Sequence, residues 1–259
     1  MPGCLLETIA VSADDAGAAA AGGADRFEVC SALALGGLTP SIGTIRAIRA
    51  STDVPIMAMV RPREGGMAYT EGEFSAMLAD AEVLLEAGAS GLVFGFLTSD
   101  GEVDLERCRS FLDLVRSVSQ GHSVETVFHR AFDVTARPKA ALEQLIDLGI
   151  TRVLTSGRKP TVLEGLDAIR ATVEQARGRI QILPGGGIRV DDIESVLLQG
   201  GVTQVHLYVA RSARDGSAGA NPAIRFAGHA PVGELEYLAV ASQDVRRIRE
   251  TLDRIRETK

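Results

Sequence analysis

The chain has no tryptophan, and its 259 residues include only three tyrosines, eight phenylalanines and four histidines. A surface that stacks nucleobases needs aromatic side chains interleaved with basic ones, and no such run occurs. With a formal net charge of −7 as well, nucleic acid and an anionic membrane surface are excluded as principal partners. No apolar run approaches the roughly 20 residues that cross a bilayer. Cysteine is scarce: Cys4, Cys30 and Cys108 are odd in number and far apart. That excludes a disulfide framework and points to a reducing cytoplasm. The opening Met1-Pro2-Gly3-Cys4 has no basic segment of the kind that begins a secretory leader.

Present instead is a globular composition, 46% hydrophobic and 24% charged. Short apolar runs alternate with segments of helical period. The strand candidates are 5–11, 27–30, 55–60, 92–96, 126–129, 152–155, 180–184 and 204–208. The clearest helix spans 70–87, where Phe74, Met77, Leu78, Ala81, Leu84 and Leu85 share a face and Thr70 with Glu73 predicts a capping box. Thr161 and Glu164 repeat that box ahead of Leu166 and Ile169, and Thr39-Pro40 predicts another helix start. The last helix is expected over 243–257. A weak repeat, a helix stop at glycine followed by a strand, recurs near 21–30, 87–94, 148–154 and 200–206.

Eight βα units in about 250 residues predict an α/β fold of the (β/α)8 TIM-barrel type. A doubly wound sheet would carry a glycine fingerprint after its first strand, where this chain has Ser12-Ala13-Asp14-Asp15. One domain is expected over 1–259. Its C-terminal end is irregular, with a long loop at about 209–240 before the last helix that reads as a lid, a subunit contact or a plain surface loop.

Outward strand positions of a barrel face the helices and must be apolar, so polar residues in mid-strand point inward. That rule turns Glu7, Glu28, His129 and His206 toward the interior, with Met57, Met59 and Arg61 on one inward parity of the third strand. Buried carboxylates need a counter-charge, and Arg61 is the nearest candidate for Glu7 and Glu28. Either these groups form a structural ion-pair network or they converge on a ligand. Under the second reading Glu7, Glu28, His129 and Asp133 are candidate acid–base residues. Arg61, Arg63 and Arg130 would clamp an anion, and Ser156-Gly157 with Gly185-Gly186-Gly187 would cradle it at helix N-termini. Cys30 shares the inward parity of Glu28. With His129, His206 or Met59 it would make a soft set suited to Cu(I), although a lone buried cysteine is more often an apolar filler.

Several stretches together resemble one family. They are Ala24 to Ser41 (ADRFEVCSALALGGLTPS), Met59-Val-Arg-Pro-Arg63, Val93 to Gly101 (VFGFLTSDG), Thr126 to Asp133 (TVFHRAFD), Val153-Leu-Thr-Ser-Gly157 and Leu183-Pro-Gly-Gly-Gly-Ile188. Over about residues 4–206 the chain is similar to the CutC copper-homeostasis family. The resemblance implies a cytoplasmic TIM barrel that self-associates as a homodimer or higher homo-oligomer and is linked to copper handling through cysteine. Only Cys30 falls in a family motif, so only Cys30 carries that role over. Two departures stand out. Glu64-Gly65-Gly66-Met67 replaces the family's Gly-Gly-Asp after Arg63, and Tyr208 stands where the family's eighth strand has serine. Two functions follow: a copper-homeostasis protein that binds Cu(I) at Cys30 or acts indirectly in copper handling, or a barrel enzyme acting on a small phosphorylated or carboxylated substrate.

Overall fold

Each apolar run and the helix after it fold as one βα unit, because a strand buried on both faces can be covered only by a helix crossing back over it. The computed structural model describes residues 4–221, 223–224 and 235–257. Among these, eight parallel strands form the main sheet: β1 (Leu5–Ala10), β2 (Arg26–Val29), β3 (Ile56–Met59), β4 (Gly91–Phe94), β5 (Glu125–Phe128), β6 (Arg152–Thr155), β7 (Gln181–Pro184) and β8 (Gln204–Leu207). The spatial order is β7-β6-β5-β4-β3-β2-β1-β8, and a parallel bridge between Gly185 and His206 brings β7 to β8 and closes the barrel. The helices α1 (Ala13–Ala21), α2 (Ile42–Ser51), α3 (Glu71–Glu86), α4 (Leu105–Ser119), α5 (Pro138–Asp147), α6 (Leu166–Ala176) and α7 (Ile193–Gly200) each follow the strand of the same number, and α8 (Ser242–Glu257) is separated from β8 by further strand structure.

Strand alternation divides the core in two. Outward residues such as Leu6, Phe27, Ile56, Leu92, Phe128 and Val205 pack beneath the helices. Inward residues Ile9, Cys30, Met57, Met59, Val93, Val127, Leu154 and Leu183 form a smaller cluster inside the barrel. The N-terminal end of the barrel is plugged by polar groups. Arg152 is buried and donates to Glu125, Gln181 and Gln204 at 2.6, 2.6 and 3.0 Å. A structural ion-pair network therefore exists, but it lies at the end opposite the strand-end loops.

Two local expectations change. The capping box of Thr70 and Glu73 starts α3 as predicted. At α2, however, Ser41 is the N-cap, and Thr39 instead bonds through its hydroxyl to the Arg61 amide (3.0 Å) and carbonyl (3.1 Å), tying the β2 loop to the end of β3. Thr161 and Glu164 bond each other, yet α6 begins only at Leu166, after Gly165. The stretch expected to be an irregular loop contains an antiparallel ribbon, β9 (Ala210–Arg214) with β10 (Glu236–Val240). It is fastened by the Arg211–Asp244 ion pair and by the Val240 amide, which donates to Asp15 at 2.8 Å. Residues 222 and 225–234 of that stretch lie outside the described residues. Among the described residues no helix is long and apolar enough to cross a membrane.

Candidate functional site

Parallel register places three ionisable side chains in a row. Glu7 on β1 pairs with Arg26 on β2 and with His206 on β8. All three point inward, so Glu7 accepts from Arg26 Nε through Oε2 and bonds His206 Nδ1 through Oε1 at 2.7 Å. His206 Nε2 is thereby turned toward Glu28 Oε1, 3.9 Å away on the next inward position of β2. Every member of the row is buried.

The two carboxylates are driven apart in acidity. Burial alone would raise Glu7, but the His206 hydrogen bond and the Arg26 charge outweigh it and hold the group ionised, at about 2. Burial also raises Glu28. There the nearby Glu7 charge adds to the effect, and His206 and Arg26 only partly oppose it, leaving Glu28 at about 7. Burial disfavours the cation on His206, yet Glu28 and Glu7 raise its pKa overall. Glu28 thus gives up its proton near neutrality beside a ring whose cation its neighbours favour, while Glu7 stays an anion that holds the ring.

Glu28 and His206 floor a cavity of about 610 Å³ at the C-terminal mouth of the barrel, a size suited to a small molecule. Its wall includes Met59, Arg61, His129, Arg130, Gly185–Gly187 and Tyr208. His129 Nδ1 accepts from the Ala131 amide at 3.0 Å. Burial, reinforced by the Arg61 charge, pushes His129 down to about 3, so this ring is neutral and is not the proton carrier expected from its type. The buried imidazole whose cation is favoured is His206.

Of the other expected residues, some reach the cavity and some do not. Arg61 lines it but does not pair with Glu7 or Glu28. Its guanidinium donates to the carbonyls of Leu35, Gly37 and Gly65 at 3.0–3.1 Å and so shapes the loops after β2 and β3. Arg63 lies outside, bound to Glu73 and stacked over Tyr69. Arg130 lines the cavity and donates to Asp133 at 2.9 Å and to the Ser156 hydroxyl at 2.8 Å. Asp133 is fully engaged. Its burial would raise its pKa, but donors from Thr155, Arg130 and Ser156 lower it. It braces the β6 loop rather than offering a free base. Gly157 is glycine for packing: its φ is +72°, and a Cβ there would lie 2.2 Å from the Gly165 carbonyl oxygen. Gly186 (φ +122°) and Gly187 (φ +69°) do face the cavity, with Arg130 beside Gly186.

Cys30 is buried in the inward apolar cluster, 1% exposed. Burial, with the Glu28 charge, pushes its thiol up and disfavours the thiolate a metal would require. The ligand atoms of Glu7, Glu28 and His206 lie within 4.8 Å of one another, but Arg26 already supplies the cation at Glu7. Cys30 is not in that group. Sequence reasoning missed Arg26, the counter-ion of Glu7. It also read Tyr208 only as the loss of a serine, whereas its phenol lines the cavity and is kept neutral, raised by burial to about 12.

Fold and site define a (β/α)8 barrel with a buried carboxylate–imidazole–carboxylate row beneath an open mouth. The CutC family model matches residues 4–211, and the chain belongs to the CutC family. It is 44% identical to the copper homeostasis protein cutC homolog of Homo sapiens over 213 residues, which cover 82% of this chain and 76% of that one. It is also 44% identical to a CutC family protein of Treponema denticola over 228 residues, covering 88% and 90%. A crystal structure of CutC from Streptococcus agalactiae superposes with a TM-score of 0.72 at 33% identity, covering 78% of this chain and 97% of that one. KGPDC from Streptococcus mutans shares the fold at a TM-score of 0.60 and 12% identity, covering 98% and 99%.

Proposed function

We propose that the barrel mouth binds a small anionic ligand and exchanges a proton with it through the Glu28–His206 pair. The observation that carries this reading is the buried row itself. Glu7 and Arg26 orient His206 toward a carboxylate that has been denied a counter-ion of its own, at the floor of a cavity rimmed by Arg61, Arg130 and Gly186–Gly187. A merely structural pair would be neutralised, as Arg152 and Glu125 are at the other end. Inorganic phosphate and small sugar phosphates test it by thermal shift. Ligand bound to the native state adds stability as RT ln(1 + [L]/Kd), roughly 2.7 kcal/mol at a hundredfold excess over Kd. Wild type should shift and Arg130→Gln should shift much less; no shift in wild type at saturating concentrations refutes the reading.

A second reading is direct Cu(I) handling. The relatives' copper-homeostasis name supports it, as does one contact. Cys30 Sγ and the Met59 methyl flank the same space above Gly37, where a Cβ would lie 3.4 and 3.7 Å from them. Thiol and thioether suit Cu(I). Anaerobic Cu(I) titration of wild type against Cys30→Ser decides it, since unchanged stoichiometry and affinity reject Cys30. The unpaired cysteines support a reducing cytoplasm as the location. Self-association, which the family resemblance implies, is read by light scattering.

A further inference from the structure

Two buried polar atoms of the cavity have no partner among the described residues, His129 Nε2 and Glu28 Oε2. One is a donor and the other an acceptor. His129 Nδ1 accepts the Ala131 N–H, so Nδ1 carries no proton and the neutral ring must carry it on Nε2. The ring lies close against Gly95, where a Cβ would lie 2.5 Å from Cε1 and 2.6 Å from Nδ1. An N–H without an acceptor is thus held at the cavity wall. Across the barrel, on β2, Glu28 presents an oxygen without a donor, while its other oxygen faces His206. A ligand that satisfies both brings an acceptor oxygen for His129 and a hydrogen directed at Glu28. Buried groups of this kind are costly to leave unmatched, which argues that a ligand matches them.

Building on the proposed binding of a small anion, we propose that the ligand is a carbonyl compound carrying that anionic group, and that the protein removes a proton from the carbon beside the carbonyl. His129 Nε2–H would hold the carbonyl oxygen, Glu28 would take the proton, and Arg130 with the Gly186–Gly187 turn would hold the anion. The C–H bond breaks and its electron pair forms the C=C bond. The carbonyl π pair moves onto oxygen, where His129 Nε2–H stabilises the enolate, and the proton rests on Glu28. Return to the same carbon gives exchange or epimerisation. Return to the neighbouring carbon of an α-hydroxy carbonyl, with the hydroxyl proton passed between the oxygens, gives isomerisation. No oxidant or reductant is consumed. A neutral imidazole donor with a carboxylate base is a known solution to this chemistry. Glu7 and Arg26 are positioning residues, acting through His206.

The test uses the full chain in D2O with dihydroxyacetone phosphate and glycolaldehyde phosphate, following the hydrogens beside the carbonyl by proton NMR. Protein-dependent deuterium incorporation is expected, with Glu28→Gln inactive. His129→Ala should lose roughly 10²- to 10³-fold, the usual effect of removing one oxyanion donor. His129→Gln, which keeps an N–H donor, should recover part of that loss, a rescue that a purely structural role would not give. Circular dichroism checks the fold of each variant, and thermal shift on the same samples reads binding. Binding of phosphate and both sugar phosphates without exchange overturns this inference and leaves the anion site standing. Absence of binding overturns both.

Discussion

Replacing Glu28 by glutamine removes an ionisable group whose burial works against the fold. Unfolded, this carboxyl ionises near 4.5; folded, it holds its proton to about 7. Between those values the folded state binds more protons than the unfolded one. The stability contributed by protonated Glu28 is therefore fully present below pH 4.5 and lost as pH rises through 7. A difference of about 2.5 units at 1.36 kcal/mol each is about 3 kcal/mol. Glu28 is buried, so solvent screening does not reduce that figure, and His206, raised as well, titrates with the same sign as part of the pair. Glutamine fills the same volume with no charge to desolvate. The variant should match wild type within about 0.5 kcal/mol at acidic pH and exceed it by up to about 3 kcal/mol near pH 8.5. Urea midpoints followed by far-UV circular dichroism at several pH values measure the difference; titrating groups remote from Glu28 cancel in it, and His206 contributes with the sign of the pair. A difference that stays flat with pH, or grows toward acid, would refute the reasoning.

Arg26→Met should behave in the opposite sense. It leaves Glu7 buried with His206 alone and should cost roughly 3–5 kcal/mol at neutral pH by urea unfolding. Because Glu7 is depressed to about 2 in the fold, its stabilisation is present above pH 4.5 and lost as pH falls toward 2; in the variant that acid loss should begin at higher pH. Gly157→Ala should destabilise by at least about 2 kcal/mol, since it combines a left-handed backbone with a clash against the Gly165 carbonyl, and thermal unfolding reads it. Gly95→Ala should push the His129 ring off its seat, slowing α-proton exchange as far as His129→Ala does while phosphate still shifts the melting temperature.

The barrel and the inward set were legible because a strand has a period of two and its outward face must be greasy. Glu7, Glu28, His129 and His206 sit in the interior for that reason alone. Their partners were not legible, because parity says which way a side chain points but not at what height its neighbour stands. Arg26 and Glu125 were placed one residue before their strands began, so their own inward parity went unread. Arg152, Gln181 and Gln204 share that parity at the first layer. A long polar residue two positions before an inward one, repeated on five strands, was the signal for the plug. Contacts made by loops followed no period at all, so the Arg61 carbonyl ligands, the Arg63–Glu73 pair and the bracing of Asp133 emerged only from the fold.

The divergence of Glu7 and Glu28 is a consequence of register rather than of residue type. Both are glutamates, both are buried, and they stand on adjacent strands with His206 between them. The β1–β2 pairing sets Arg26 level with Glu7, and Glu28 follows two residues further up β2, level with Ile9. One carboxylate is therefore given the guanidinium, and the other is lifted one layer, away from the polar plug and into the cavity. There the only basic partner within 4 Å among the described residues is a histidine already bound on its far side. A carboxyl so placed is poor support for the fold and well suited to moving a proton near neutral pH. Moving Arg26 by a single residue would turn it outward and remove the distinction between the two glutamates.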